Sequence, residues 1–482
     1  MNQTSLRAQK IIAFMLLGTA CFLLLVRTMS LRPSIDTLSI ILLGIAAAMA
    51  LGIARSGGLT GFFGLFFIST LVFNLGRPLL WLVFRDEDIY DLAMGITTNV
   101  VDRARQADLL IFWGVGIASV AAGYFLFYRT PEFSRPPLSI NNRAYCQSSF
   151  WVTLVLVCAA IPVAAATKIA AFSSEGYTAL YVGQTQYSFS WFRLLDFLLP
   201  TLFALSVLLR DTKFIAIVAT TVVANALISL GVGQRATMGQ WILVTLWYLS
   251  TIQRRKMNKW LLVSSGFALV ILFQFIADWR EGYDSILTVQ QFVTEQSTTF
   301  SLPTLMTELP PPPAHTVVGS ILPLGAVYSV FGIGTAADMN LGNYLSSQFD
   351  MGQFEQGRGL GGTVYLELFY LSGRLWVLYS ILCVTAGVVL AKWERCSFRH
   401  NWAVFYLCIC LPDVIFLPRG SLYFLSSHVI YVSLYMTGIY CLTALFAVPS
   451  DHEQQMRNRV AHKRDADLYL GHNSVNTSSV RE

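Results

Sequence analysis

Charge is what this sequence lacks. Only 12% of its 482 residues are Asp, Glu, Lys or Arg, about half the share of ordinary soluble domains. That deficit excludes both a solvated globular enzyme and a charge-rich disordered chain. Histidine is also sparse, at 6 residues, and no His, Cys or Asp set has metal-ligand spacing, so no metal site and no cofactor are expected. No Walker motif or Ser-His-Asp arrangement is legible. "GRGLGG" at 357–362 formally fits a dinucleotide-binding pattern, but no strand precedes it and no βαβ unit surrounds it. Disulfides are excluded on similar grounds. Six of the eight cysteines (Cys21, Cys158, Cys383, Cys408, Cys410, Cys441) lie in apolar runs, and Cys146 and Cys396 lie in loops assigned to the cytoplasm. No nucleic-acid partner is expected.

What is abundant is apolar surface: 55% of residues are hydrophobic, in runs that recur along the chain. Runs of about 20 such residues in lipid leave the backbone only itself to bond to, so the expected fold is an all-α integral membrane protein. Helices are expected near 11–27, 37–54, 58–76, 108–128, 149–166, 191–209, 213–231, 238–252, 260–277, 374–391, 402–417 and 422–447, about twelve spans. The first follows Arg7 and Lys10 without a small-residue cleavage site and reads as uncleaved. Basic loops set the orientation. "QRRKMNK" at 253–259 belongs in the cytoplasm, and the same parity places Arg210 and Lys213, Lys392, Arg395 and Arg399, and both termini there. Arg27 and Arg32 fall on the wrong side. Residues 1–449 form the polytopic domain, and the polar stretch 450–482 reads as a disordered cytoplasmic tail.

The loops are uneven. The connection between the ninth and tenth spans, about 277–373, falls on the outer face and holds "LPPPPAH" at 309–315, an apolar piece over 316–334 interrupted by Pro323, and a glycine-rich turn leading into "VYLELFYLSG" at 364–373. The apolar piece fits either a dip into the membrane or a helix within the loop. Smaller outer loops cover 85–107 and 167–190. So much chain on one side points to chemistry or recognition there, against the plainer reading of a packing or assembly loop.

Two arginines sit where the positive-inside bias opposes them. Arg235 in "GVGQRATMGQW" and Arg419 in "IFLPRGSLYFLSSH" both stand beside glycine at outer helix ends. Each offers a rigid fork of donors suited to phosphate or carboxylate. The alternative is an arginine that snorkels to headgroups or pairs with a carboxylate such as Asp413. Arg280 in "DWREGY" and Arg358 in "GRGLGG" are candidates for the same outer cluster, and His428 is either a substrate contact or a buried hydrogen-bonded ring.

Four features in order, "GYTALY" at 176–181, "GQR" at 233–235, "VYLELFYLSG" at 364–373 and "PRGSL" at 418–422, give the chain its resemblance to the Wzy-type polymerases that join lipid-linked oligosaccharide repeat units. The resemblance runs from about 150 to 447. It implies a metal-independent glycosyltransferase of the bacterial inner (cytoplasmic) membrane, with its active site facing the periplasm. Donor and acceptor would be undecaprenyl-diphosphate-linked oligosaccharides, and a chain-length regulator, a flippase and membrane lipid would be the partners. The family's outer-face arginine pair carries over onto Arg235 and Arg419, and its Glu-x-x-Tyr segment onto Glu367 and Tyr370; Gln234, Tyr177, Tyr181, Arg280, Arg358 and His428 join them as substrate-binding candidates. Arginine cannot accept a proton, so Glu367 is the expected base, with Asp278, Asp350 and His428 behind it. Two other readings stay open. One is the related ligase that moves finished glycan off the same carrier, and the other is a transporter, which would call for midplane ionisable residues and an internal repeat.

Overall fold

A computed structural model of the chain describes residues 3–56, 58–94, 97–129, 136–175, 191–281, 289–323, 340–356 and 359–446. They fall into two units, Met1–Val432 and Ser433–Glu482. The site lies in the first, and the second contains the final turns of the last helix.

In chain order the helices are α1 Gln3–Thr28, α2 Ile35–Ser56, α3 Phe62–Phe73, α4 Gly76–Phe84, α5 Arg103–Phe127, α6 Ile140–Glu175, α7 Trp191–Leu209, α8 Thr212–Gly231, α9 Arg235–Trp247, α10 Lys259–Glu281, α11 Val289–Gln296, α12 Leu305–Glu308, α13 Ala314–Gly319, α14 Leu341–Phe349, α15 Met351–Glu355, α16 Val364–Leu371, α17 Trp376–Ser397, α18 Asn401–Phe416 and α19 Leu422–Phe446. A small hairpin is added to this all-α plan: β1 Leu92–Met94 pairs antiparallel with β2 Thr97–Asn99, Leu92 opposite Asn99.

Each expected span falls on helix. Among the described residues, however, eight helices are long and apolar enough to cross a membrane, or nine if α3 and α4, bent by 49° at their junction, count as one broken span. Length and composition therefore do not reach twelve. The shortfall has local causes. The apolar part of α7 begins only at Leu194 and that of α10 covers Ser264–Ile276, while α9 starts late after a glycine-rich turn and passes after 13 residues into a π-helical turn at Tyr248–Ile252.

The core is built on α5, whose most apolar window is 94% buried. It packs against α1, α2 and α17. Lipid supplies no hydrophobic drive between helices, so their association rests on close packing and small residues. The α5–α17 crossing shows this directly: a Cβ on Gly123 would lie 2.1 Å from the Val384 carbonyl oxygen, and one on Gly387 would lie 2.0 Å from that of Val120. Ser119 and Ser380 hydrogen-bond across the same contact at 2.8 Å. Arg27, which opposes the charge rule, pairs with Asp108 at 3.3 Å and lies over the Trp376 ring.

Candidate active site

Three interruptions of helix each carry an arginine, and each arginine reaches toward the same short helix. The first lies between α3 and α4, where Asn74 and Leu75 separate two apolar helices. Asn74 is buried and donates to the Pro418 carbonyl at 3.0 Å. Arg77, with 3% of its surface exposed, donates to the Asp91 carbonyl at 2.6 Å, to Ser301 Oγ at 2.7 Å and to the Thr294 carbonyl at 3.3 Å. A buried guanidinium is tolerable only with its donors occupied, and these acceptors occupy two of its nitrogens. Gly76 sets the distance between α4 and α11, since a Cβ there would stand 2.5 Å from Val293 Cγ1.

The second interruption ends α8. Gly233 adopts φ +81°, the left-handed conformation that favours glycine, and the Gly233 and Gln234 amides close back on Leu230 and Ser229. The chain re-enters helix at Arg235. Its Nη1 donates to the Phe273 carbonyl of α10 at 2.7 Å, and its Nη2 lies 3.7 Å from Glu295 Oε2. The side chains are 16% and 33% exposed, so the pair is reachable from solvent.

The third interruption is "PRG" between α18 and α19. Leu417–Arg419 form a 3₁₀ turn, Gly420 is extended, and Arg419 is exposed. Its guanidinium lies 5.3 Å from the Phe73 ring centre, a cation–π distance, and donates to Gln296 Oε1 at 3.2 Å. The turn is held from α16. Glu367, 2% exposed, accepts from the Ser421 hydroxyl on one carboxylate oxygen and from the Leu422 amide at 2.8 Å on the other. It thus serves as a cap supplied in trans to the first amides of α19, which lack intrahelical partners. Burial pushes its carboxyl up to about 8, although both hydrogen bonds pull the other way.

Thr294, Glu295 and Gln296 are consecutive, and Arg77, Arg235 and Arg419 contact them one each. Neighbouring Cα atoms are about 3.8 Å apart, so three arginines from distant parts of the chain meet at one helical turn, whose own carboxylate is Glu295. Guanidinium forks gathered in this way suit a multiply charged oxyanion such as a diphosphate.

Of the expected site residues, Arg235 and Arg419 are brought together on α11. Gln234 precedes Arg235, half-buried at the start of α9. Tyr370 is buried on α16 with the Arg374 guanidinium 5.0 Å from its ring centre. His428 is 6% exposed; its Nδ1 lies 2.7 Å from Asp413 Oδ2 and 2.8 Å from the Phe424 carbonyl, and its Nε2 lies 2.8 Å from the Asp196 carbonyl. That ring ties α7, α18 and the start of α19 together. Asp350 caps α15 through the Gln353 amide and also accepts from Thr97, contacts that hold its carboxyl below the usual range. Arg280 and Asp278 belong to α10, but their side chains lie outside the described residues, as do Tyr177, Tyr181 and Arg358. Among the described residues there is no cluster of three His, Cys, Asp or Glu side chains arranged as for a metal ion. Arg77 and Glu295 are the members that sequence reasoning missed. The signal for Arg77 was present: Gly76-Arg77-Pro78 repeats in reverse the glycine and proline that flank Arg419.

A family model described as O-antigen polysaccharide polymerase Wzy matches residues 10–447, and the chain belongs to that family. It is accordingly a multi-pass membrane protein of a repeat-unit polymerase family. No curated protein and no solved structure was found to match it.

Proposed function

From this family membership we propose that the protein joins repeat units carried on undecaprenyl diphosphate at the periplasmic face of the inner membrane. The acceptor-sugar hydroxyl of one lipid-linked unit attacks the anomeric carbon of the glycan on another, and the bond from that carbon to the lipid diphosphate breaks. The convergence of Arg235 and Arg419 on adjacent residues of α11 carries this reading. As the bond breaks, negative charge grows on the departing diphosphate, and donors already aimed at that charge lower the barrier without reorganising. Two guanidiniums serve without a metal ion, because each presents a planar fork that matches phosphate oxygens. Gln234, beside Arg235, is placed to contact the same phosphates or the first sugar. Glu367 acts through Arg419: its bonds to Ser421 and Leu422 cap α19 and anchor the end of the "PRG" turn from which the arginine reaches α11. A chain-length regulator and a flippase are the partners that this reading brings.

Deletion of the gene, followed by separation of the surface glycan on a gel, tests the reading. Single repeat units in place of a ladder are expected. Polymer stranded on the carrier lipid would instead indicate a ligase, and repeat units trapped inside the cell a flippase. Complementation with Arg235→Ala or Arg419→Ala should leave the ladder missing while the protein still inserts. Each loss corresponds to about 10²–10³ in rate, the usual effect of removing one such donor. Near-normal chain length in both variants would sink the arginine assignment.

A further inference from the structure

The reaction read above uses two lipid-linked units at once, and two diphosphates repel each other too strongly to share one set of guanidiniums. The attacking hydroxyl of the acceptor lies at the end of its unit away from its lipid, so the acceptor diphosphate has to be held at a second place on the same membrane face. Helices α17 and α18 are joined by a three-residue turn and pack against each other as antiparallel neighbours. Arg374, two residues before α17, and Arg419, just after α18, therefore lie at the same end of this pair. A left-handed turn brings Arg374 into position. The Gly373 amide closes back on the Tyr370 carbonyl and the Arg374 amide on that of Phe369, both at 3.0 Å, while Gly373 and Arg374 take φ +63° and +65°. The second value is uncommon for a residue with a side chain. The turn folds the Arg374 guanidinium back over the Tyr370 ring, 5.0 Å from its centre. Among the described residues its one hydrogen bond runs from Nη1 to the Met306 carbonyl at 3.5 Å, the outer limit for such a bond. Arg374 Nη2 and the Tyr370 hydroxyl are both buried, and neither has a hydrogen-bond partner among the described residues. Burial raises the Tyr370 hydroxyl above its ordinary value, so it keeps its proton and can donate. The nearby carboxylate of Glu308 is taken by Arg105 and Asn99.

We infer that Arg374 and Tyr370 form a second oxyanion subsite, which holds the diphosphate of the acceptor lipid while the arginines at α11 hold that of the donor. The inference rests on the functional reading above. A buried donor without an acceptor is costly, and here two stand together with no carboxylate to satisfy them, so a ligand that brings phosphate oxygens recovers that cost at both. The Arg374 side chain is only partly buried and its bond to Met306 is long, so it turns toward a ligand at little expense. Tyr370 lies three residues beyond Glu367 on α16, about 4.5 Å along the helix axis, and Glu367 anchors the turn that carries Arg419. One short helix therefore spaces the two phosphate sites.

The test uses the purified full chain in phosphatidylcholine nanodiscs, lipid-linked repeat units extracted from a polymerase-deficient strain as substrate, and undecaprenyl diphosphate as the binding probe. Wild type should bind two equivalents of the probe, and Arg374→Gln and Arg235→Ala one each. In turnover, Arg374→Gln should raise KM about tenfold, the loss of one hydrogen bond to a charged group, while kcat stays within about threefold of wild type. Tyr370→Phe, which keeps the ring, should raise KM by less. Without the probe, Arg374→Gln should melt no lower than wild type, because it removes a buried nitrogen that has no acceptor. A single equivalent on wild type or two on Arg374→Gln overturns the inference, as does a loss of kcat at unchanged KM; a lower Tm overturns it too, by marking Arg374 as a structural tie to Met306. Phosphatidylglycerol nanodiscs separate the acceptor from an ordinary membrane lipid: loss of one probe equivalent there would give the site to a headgroup phosphate and sink the acceptor assignment. A wild type that binds two equivalents yet makes no polymer from these substrates refutes the polymerase reading, and the acceptor role with it, whereas the stoichiometry of the variants tests the second site separately.

Discussion

Replacing Glu367 by Gln should make the protein more stable above neutral pH, and the size of the gain follows from its surroundings. The carboxyl is almost wholly buried, and burial raises it from 4.5 to about 8. An acid raised on folding is ionised more readily in the unfolded chain. Its stabilising share is therefore complete below about 4.5, declines as pH rises toward 8, and is absent above that. The slope is about 1.4 kcal/mol per pH unit, so the full loss across that window is on the order of 5 kcal/mol. Gln carries no charge to bury. Its carbonyl oxygen still accepts from the Leu422 amide, and its NH₂ donates to the Ser421 hydroxyl oxygen in place of the bond that the carboxylate accepted, so both contacts to α19 survive. Melting curves of both proteins in one detergent, from pH 4.5 to 9, measure the effect. Wild type should lose several degrees of Tm over this range from this group, and Glu367→Gln should lack that component of the slope. Parallel curves would refute the assignment. Glu367→Ala should be destabilised at every pH, because two buried donors at the start of α19 would each lack an acceptor, at about 1–3 kcal/mol apiece.

Other consequences follow from the packing of α11. Gly76→Ala brings a methyl group to 2.5 Å from Val293 Cγ1, so it should push α11 outward at about 1–3 kcal/mol and shorten the glycan ladder, and Val293→Ala in the same chain should restore it; a full ladder from Gly76→Ala alone would contradict this account. Arg77→Lys should lower the Tm in detergent, since one ammonium cannot reproduce a planar fork that reaches Asp91, Ser301 and Thr294 together and each charged hydrogen bond lost costs about 1.5–3 kcal/mol. An unchanged melting curve would mean that these bonds are not held in solution.

Hydropathy made the helical class legible, because lipid leaves an apolar run no alternative, and helix was found at every expected span. Glycine and proline beside Arg235 and Arg419 located two of the three interruptions, since those residues break helical pairing whatever surrounds them. Other features were hidden for identifiable reasons. The expected span at 58–76 reads as one apolar run, but it bends at Asn74 and continues as α4, a turn fixed by Asn74 reaching Pro418 some 344 residues away. Helix α11, "VQQFVTEQ", places Val289, Phe292 and Val293 on one face but is only 8 residues long, too short for that pattern to mark it as an element on which others converge. Glu367 carried a signal in its family motif, but its role depends on Ser421 and Leu422, and a pairing across that distance is set by the packing of helices that all look alike in hydropathy.

The arrangement around α11 also bears on which changes this segment can absorb over generations. Successive residues of a helix are rotated by about 100°, and Arg77, Arg235 and Arg419 each depend on the position of one of three consecutive residues. A substitution on the opposite side of α11 touches one contact or none. Insertion or deletion of a single residue between Val289 and Thr294 would turn all three positions away at once. Sequence drift is thus open to this stretch in composition but closed in length, even though it lies in a loop region where length is ordinarily the freest variable.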